Sequence, residues 1–245
     1  MPLACQLPGG SRKTRQCLRR STGTQHEKVS RMRKLYLVPI VHMSGDMGSL
    51  ASVLNETAEA EFGQETWQEH KAAVSSFWDS IGEFFDAVDV DSFKLYQDGM
   101  LADGTVGLEI VRVGISQGSK NYQIIGNLLR RGAVLMKTED PALVKQEYAC
   151  VAKIAHSKSR KERQVWAFRY KLAQSRLLKQ RDDYIAERVK ATLGEGDTGI
   201  LFVGAYHDIL SRLPADIQVT QVKDVAKVRE YQEHIAGTRR RRGDK

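Results

Sequence analysis

Apolar and polar positions fall into blocks whose period changes along the chain. Lys34-Leu35-Tyr36-Leu37-Val38-Pro39-Ile40-Val41 is a β-rich run, interrupted near its end by Pro39. Asp46 is placed to cap a following helix in which Leu50, Val53, Leu54, Thr57 and Ala58 recur at helical spacing. Phe77, Trp78, Ile81, Phe84 and Phe85 mark a second amphipathic helix, and residues 93–96 a short strand ending in the turn signal Gln97-Asp98-Gly99. A weak strand is expected just before Gly114. Gly118-Ser119 then opens a helix carrying Ile124, Ile125, Leu128 and Leu129, closed by Gly132.

Residues 133–136 read as a strand ending at Thr138-Glu139-Asp140-Pro141, a good helix start. A long helical stretch over 141–193 breaks once near 157–160. Gly199-Ile200-Leu201-Phe202-Val203-Gly204 is the strongest strand, continuous in apolar character and so buried on both faces. Ile217-Gln218-Val219-Thr220-Gln221-Val222 alternates, and a last helix runs over 225–235. Strands separated by helices predict a single α/β domain over 33–236, with a mixed or mostly parallel central sheet flanked by helices.

Charge sharpens the boundaries. The chain of 245 residues has a net charge of +8, which suggests a polyanion or membrane-surface binder until its distribution is considered. Residues 1–34 hold nine basic side chains against Glu27 alone, and Arg239, Arg240, Arg241, Arg242 and Lys245 face only Asp244. The stretch 35–238 is mildly acidic, with 24 basic and 28 acidic residues, although 129–190 within it holds 16 basic and 7 acidic. Residues 1–32 are expected to be a disordered basic tail, either an extension upstream of the domain or an Arg-rich transit-like segment, with Met32 a candidate start. Residues 237–245 are expected to be a disordered Arg-rich tail.

No apolar run approaches the roughly 20 residues of a membrane helix. Cys5, Cys17 and Cys150 are too few and scattered for a disulfide framework or a metal knuckle, which predicts a reduced, cytoplasmic setting.

Two histidines occupy matching contexts. His42 follows the run 37–41, and His207 comes three residues after Gly204. Ligands of open α/β sheets bind outside the carboxyl ends of the strands, where both rings are expected. Imidazole is the commonest transition-metal ligand and the usual general base near neutral pH, so either role is open. His70, His156 and His234 lie in charged helical surroundings and are expected to be solvated. Asp46, Asp98, Glu139 and Asp140 are the carboxylates at predicted strand ends, where one could ligate an ion or take a proton from its water. Asp46 and Asp140 have alternative work as helix caps. Gly114-Ile115-Ser116-Gln117-Gly118 is a superficial match to the nucleophile elbow, but it lacks a strong preceding strand.

Arg181-Asp182-Asp183-Tyr184-Ile185-Ala186-Glu187-Arg188-Val189, followed by Gly199–Gly204 and Ala205-Tyr206-His207, resembles the TraB/Tiki superfamily, related to erythromycin-esterase-like proteins. That family pairs early and late G-x-x-H motifs at strand ends, with an Arg-bearing helix before the second. Here the late motif is Gly204-x-x-His207. The early one is Pro39-x-x-His42, with proline for glycine, and the helix motif reads Gln180-Arg181-Asp182. The resemblance implies an α/β fold with both histidines and Arg181 facing one cleft, and a metal-dependent hydrolytic activity.

The leading expectation is therefore a metal-dependent hydrolase. His42 and His207 would bind a divalent ion (Mn, Co or Zn), Asp98 or Glu139 would ligate or act as base, and Arg181 would hold an anionic small-molecule or peptide substrate. Two alternatives remain open: a non-catalytic sensor or interaction protein binding a small anion, and nucleic-acid binding through the basic helices and tails.

Overall fold

The computed structural model describes residues 32–41, 56, 58–60 and 63–243, with side chains described through residue 235. The tail 1–31, His42, Asp46 and nearly all of the helix expected over 50–58 lie outside the described residues.

Five strands form one sheet: β1 (Arg33–Ile40), β2 (Lys94–Gln97), β3 (Val134–Met136), β4 (Thr198–Gly204) and β5 (Ile217–Gln221). Their order is β3-β2-β4-β1-β5 and every pairing is parallel, so the sheet is the parallel form of the expected pair. Around it run α1 (Gln64–Asp86), α2 (Gly104–Ser116), α3 (Lys120–Arg130), α4 (Pro141–Ala155), α5 (Arg160–Thr192) and α6 (Val225–Gly243).

β4 lies at the centre, and its alternation divides two cores. Ile200 and Phe202 face Val74, Trp78, Ile81 and Phe85 of α1, with Val111, Ile125, Leu128 and Val228 from α2, α3 and α6. Leu201 and Val203 face Ile185 and Val189 of α5, with Leu35, Leu37 and Tyr96. Trp78 also donates from Nε1 to the Val41 carbonyl at 3.2 Å, tying α1 to the end of β1. Emptying the Phe85 position to alanine would cost about 3–5 kcal/mol at such a buried site. Among the described residues, no helix is long and apolar enough to cross a membrane.

Three local expectations are overturned. The segment before Gly114 is the helix α2, not a weak strand, despite its β-branched Ile110, Val111 and Val113. Tertiary packing overrides propensity there: a Cβ on Gly114 would stand 2.3 Å from the Tyr122 ring, and one on Gly107 2.5 Å from the Ala102 carbonyl oxygen, so both glycines permit close approach. Ser116 is in the last turn of α2, donating to the Val113 carbonyl at 2.7 Å, and no elbow exists. α6 continues to Gly243 rather than stopping near 235. Arginine is a good helix former, cations near a helix C-terminus complement its dipole, and one interior glycine costs only about 1 kcal/mol.

His70 is half-buried, not solvated. Its ring stacks on Trp67 and Tyr231, its Nδ1 is 2.7 Å from the Tyr231 hydroxyl, and burial lowers its pKa.

α4 and α5 form a hairpin. Asp140 caps α4, accepting from the Ala142 N–H at 2.7 Å, with Pro141 in the first turn. Ser159 caps α5, accepting from the Glu162 N–H at 3.1 Å. Burial on α5 begins only at Leu177, and α4 buries none of its residues. The first 17 residues of α5 therefore run about 25 Å clear of the sheet, backed by α4.

Candidate functional site

The carboxyl ends of β2, β3 and β4 are stitched together by backbone and hydroxyl contacts. Asp98 donates its N–H to the Phe202 carbonyl at 2.8 Å, and Gly99 makes the turn behind it with a φ of 79°. The N–H groups of Thr138 and Glu139 both donate to the Met100 carbonyl, at 2.9 and 3.0 Å. Thr138 Oγ1 accepts from the Gln97 N–H at 3.1 Å and donates to the Met136 carbonyl at 2.9 Å.

Onto this edge α5 lowers two adjacent residues, Arg181 and Asp182, both buried. The Arg181 guanidinium pairs with three carboxylates: Asp98 Oδ1, Glu147 Oε2 and, at 2.5 Å from Nη2, Glu139 Oε1. Glu147 in turn accepts from the Tyr170 hydroxyl at 2.6 Å. Asp182 reaches the other way: Oδ1 lies 2.5 Å from His207 Nδ1, and Oδ2 accepts the Asp208 N–H at 3.0 Å. The far nitrogen of the ring, Nε2, faces Asp98 Oδ2 at 3.4 Å. Asp98 Oδ2 also accepts the Gly204 N–H at 3.2 Å, and a Cβ at Gly204 would sit 3.3 Å from the His207 ring, so the glycine of the strand-end motif admits the imidazole.

Four carboxylates thus surround one guanidinium and one imidazole, and protonation reflects the imbalance. Burial and the Asp98 charge push the Glu139 carboxyl up to about 7, against the pull of Arg181. Burial drags the His207 imidazole down, but the hydrogen bonds its ring donates to Asp182 and Asp98 and the Asp98 charge outweigh it and raise it to about 9. Burial likewise opposes the Arg181 charge, yet Asp98 and Glu139 raise its pKa well above the ordinary value. Glu139 is fully buried, and its Oε2 has no hydrogen-bond partner among the described residues.

Beside His207 a cavity of about 330 Å³ opens between the ends of β1, β4 and β5, lined among others by Pro39, Gly204, His207, Asp224 and Arg229. Arg229 Nε donates to the Ala205 carbonyl at 2.5 Å, bracing the loop that carries His207.

The structure therefore brings Asp98, Glu139, Arg181 and His207 into one cluster. His42 lies outside the described residues; β1, which ends at Ile40, pairs with β4, with Ile40 in register with Gly204 and Pro39 with Val203. The role expected of Arg181, holding a substrate anion, would require it to release a carboxylate. Asp182 and Glu147 were not among the residues singled out by the sequence. Both are mid-helix, where no local signal marks a carboxylate as buried; the nearest clue was the pair Arg181-Asp182 on a helix otherwise rich in cations.

Among the described residues, no group of three or more His, Cys, Asp or Glu side chains is arranged to hold a metal ion. Two donors do suit one. Adjacent ligands of a tetrahedral ion with bonds of about 2.0–2.2 Å stand about 3.4 Å apart, as His207 Nε2 and Asp98 Oδ2 do. A histidine ligand commonly gives its other ring nitrogen to a carboxylate, the part Asp182 takes here.

The chain matches no protein-family model, no curated protein and no solved structure.

Proposed function

We propose that the protein is a metal-dependent hydrolase working at the carboxyl edge of β2, β3 and β4. The observation that carries this reading is the His207 ring, fixed by Asp182 through Nδ1 with Nε2 turned on Asp98. His207 and Asp98 would hold a divalent ion (Mn, Co or Zn), with His42 as the further ligand. When bound, such an ion acidifies a water and polarises a scissile carbonyl. Glu139, with one oxygen on Arg181 and the other without a partner among the described residues, is the group to exchange a proton with the attacking water. Arg181 holds Asp98 and Glu139 in place, and Asp182 sets the ring of His207.

A peptide or ester substrate would enter by the cavity beside His207, where Arg229 rather than Arg181 is the cation an anionic end would meet. The residues behind the TraB/Tiki resemblance, Gly204, His207 and Arg181, support the same reading.

The test is the metal content of purified wild type, His42→Ala and His207→Ala. A stoichiometric ion in wild type, lost from both variants, is expected. Equal content in all three overturns the proposal.

A further inference from the structure

The α4–α5 hairpin carries a face that the described residues leave uncovered. Val165, Phe168 and Leu172 are 49, 63 and 69 % exposed. Their spacing of three and four places them along one line of α5. The opposite side of the helix is the one that meets α4: there Tyr170 bonds Glu147, and the Trp166 ring lies under Lys153 at 4.1 Å. The exposed line is therefore an outward apolar stripe on a supported arm, not a surface awaiting the rest of the hairpin.

Cations rim the stripe. Lys161 and Lys179 continue its line at either end, Arg176 and Arg169, the latter with its guanidinium 4.7 Å from the centre of the Trp166 ring, flank one side, and Lys171 flanks the other. None of these five forms an ion pair with a carboxylate among the described residues. Over 141–180 there are ten basic residues and two acidic ones, Glu147 and Glu162. Glu147 is turned inward onto Arg181, and Glu162 is at the first turn of α5, where it accepts the Lys158 N–H at 2.9 Å. No negative charge remains on the stripe itself.

An apolar line within a cationic rim matches a surface that is negative outside and apolar beneath. A second copy of the arm is disfavoured by like charge. A protein groove that wraps a helix is blocked on one side by α4. Nucleic acid would gain from the cations but not from three apolar side chains with no hydrogen-bonding group.

We propose that this face docks on an anionic phospholipid surface. Val165, Phe168 and Leu172 enter the interfacial region, and the five flanking cations meet the headgroup phosphates and carboxylates. From Lys161 to Lys179 the contact is about 27 Å long, and it lies parallel to the bilayer plane.

The test is co-sedimentation of the full chain with vesicles of phosphatidylcholine containing about 30 % phosphatidylserine, beside phosphatidylcholine alone. Binding to the anionic vesicles only is expected, and F168S/L172S should weaken it about tenfold or more while leaving the melting temperature unchanged, since both side chains are exposed. K171E/R176E should weaken it similarly and flatten its dependence on salt. Failure to bind anionic vesicles overturns the proposal. So does binding that F168S/L172S leaves intact, which moves the contact to the basic segments 1–34 and 239–245. Displacement from the vesicles by a duplex oligonucleotide whose own binding depends on the stripe assigns the face to nucleic acid, and equally overturns it.

Discussion

Asp182 and His207 are 25 positions apart in the chain, and in the fold Asp182 Oδ1 lies 2.5 Å from His207 Nδ1. The second oxygen of the same carboxylate accepts the Asp208 N–H, so one side chain fixes both the ring and the backbone that follows it. Asp182→Asn keeps the shape but presents an amide that satisfies only part of this. The imidazole should then titrate below the value of about 9 it has in wild type, measurable by NMR of its ring protons. Divalent-metal affinity should fall by about 10–100-fold, as for other residues that orient a histidine ligand. An unchanged affinity would show that Asp182 does not serve a metal ligand.

The metal-free protein should lose stability as pH rises across the neutral range. Glu139 and His207 both hold a proton more tightly folded than unfolded, so their contributions are complete at the acid end. The share of Glu139 disappears between its ordinary 4.5 and about 7, and that of His207 between 6.5 and about 9. Melting temperatures of chelator-treated protein from pH 5 to pH 9.5 should therefore decline in two overlapping steps. Glu139→Gln should remove the lower one; a flat profile in wild type contradicts both shifts.

Arg181→Met should destabilise the fold by about 3–5 kcal/mol, because it strands buried carboxylates without their counter-charge. Arg181→Lys should lose less but still measurably, since one compact ammonium cannot reach Asp98, Glu139 and Glu147 together. Urea midpoints of the two variants give the comparison, and a loss below about 1 kcal/mol for Arg181→Met would mark the cluster as energetically idle.

Two glycines separate packing from propensity. Gly114→Ala drives a methyl into the Tyr122 ring and should destabilise by about 1–3 kcal/mol. Gly82→Ala, in the interior of α1 with nothing within 4 Å of the new carbon, should stabilise by about 0.5–1 kcal/mol. Chemical denaturation of both variants tests the assignment of α2 as a helix closely packed on α3.

Strands with unbroken apolar runs were legible: β4 is buried on both faces, as its continuity predicted, and β1 and β2 begin within a residue of their expected starts. Capped helices were legible too, because Asp140 with Pro141, and Ser119 after Gly118, announce helix starts by local chemistry. α2 was not, because its helical state depends on Gly107 and Gly114 meeting partners from elsewhere in the chain. The site divided along the same line. Asp98, Glu139 and His207 follow strands, where topology alone sends them to one edge. Asp182 and Glu147 are set apart from Glu162, Asp183 and Glu187 on the same two helices only by which face of α4 or α5 meets that edge, a fact no periodicity contains.

The place of β4 between β1 and β2 also sets an order of assembly. β1 pairs with β4 across a separation of more than 160 residues, Lys34 with Thr198, and β2 is joined to β1 in the sheet only through β4. On a ribosome the two flanking strands would wait with unpaired edges while the whole α4–α5 hairpin is synthesised. A chain released before residue 198 would hold the acids of the site but neither His207 nor the strand that joins β1 to β2. Such long-range closure predicts slow folding and a nascent chain in need of protection, most of all along the apolar edge of β1.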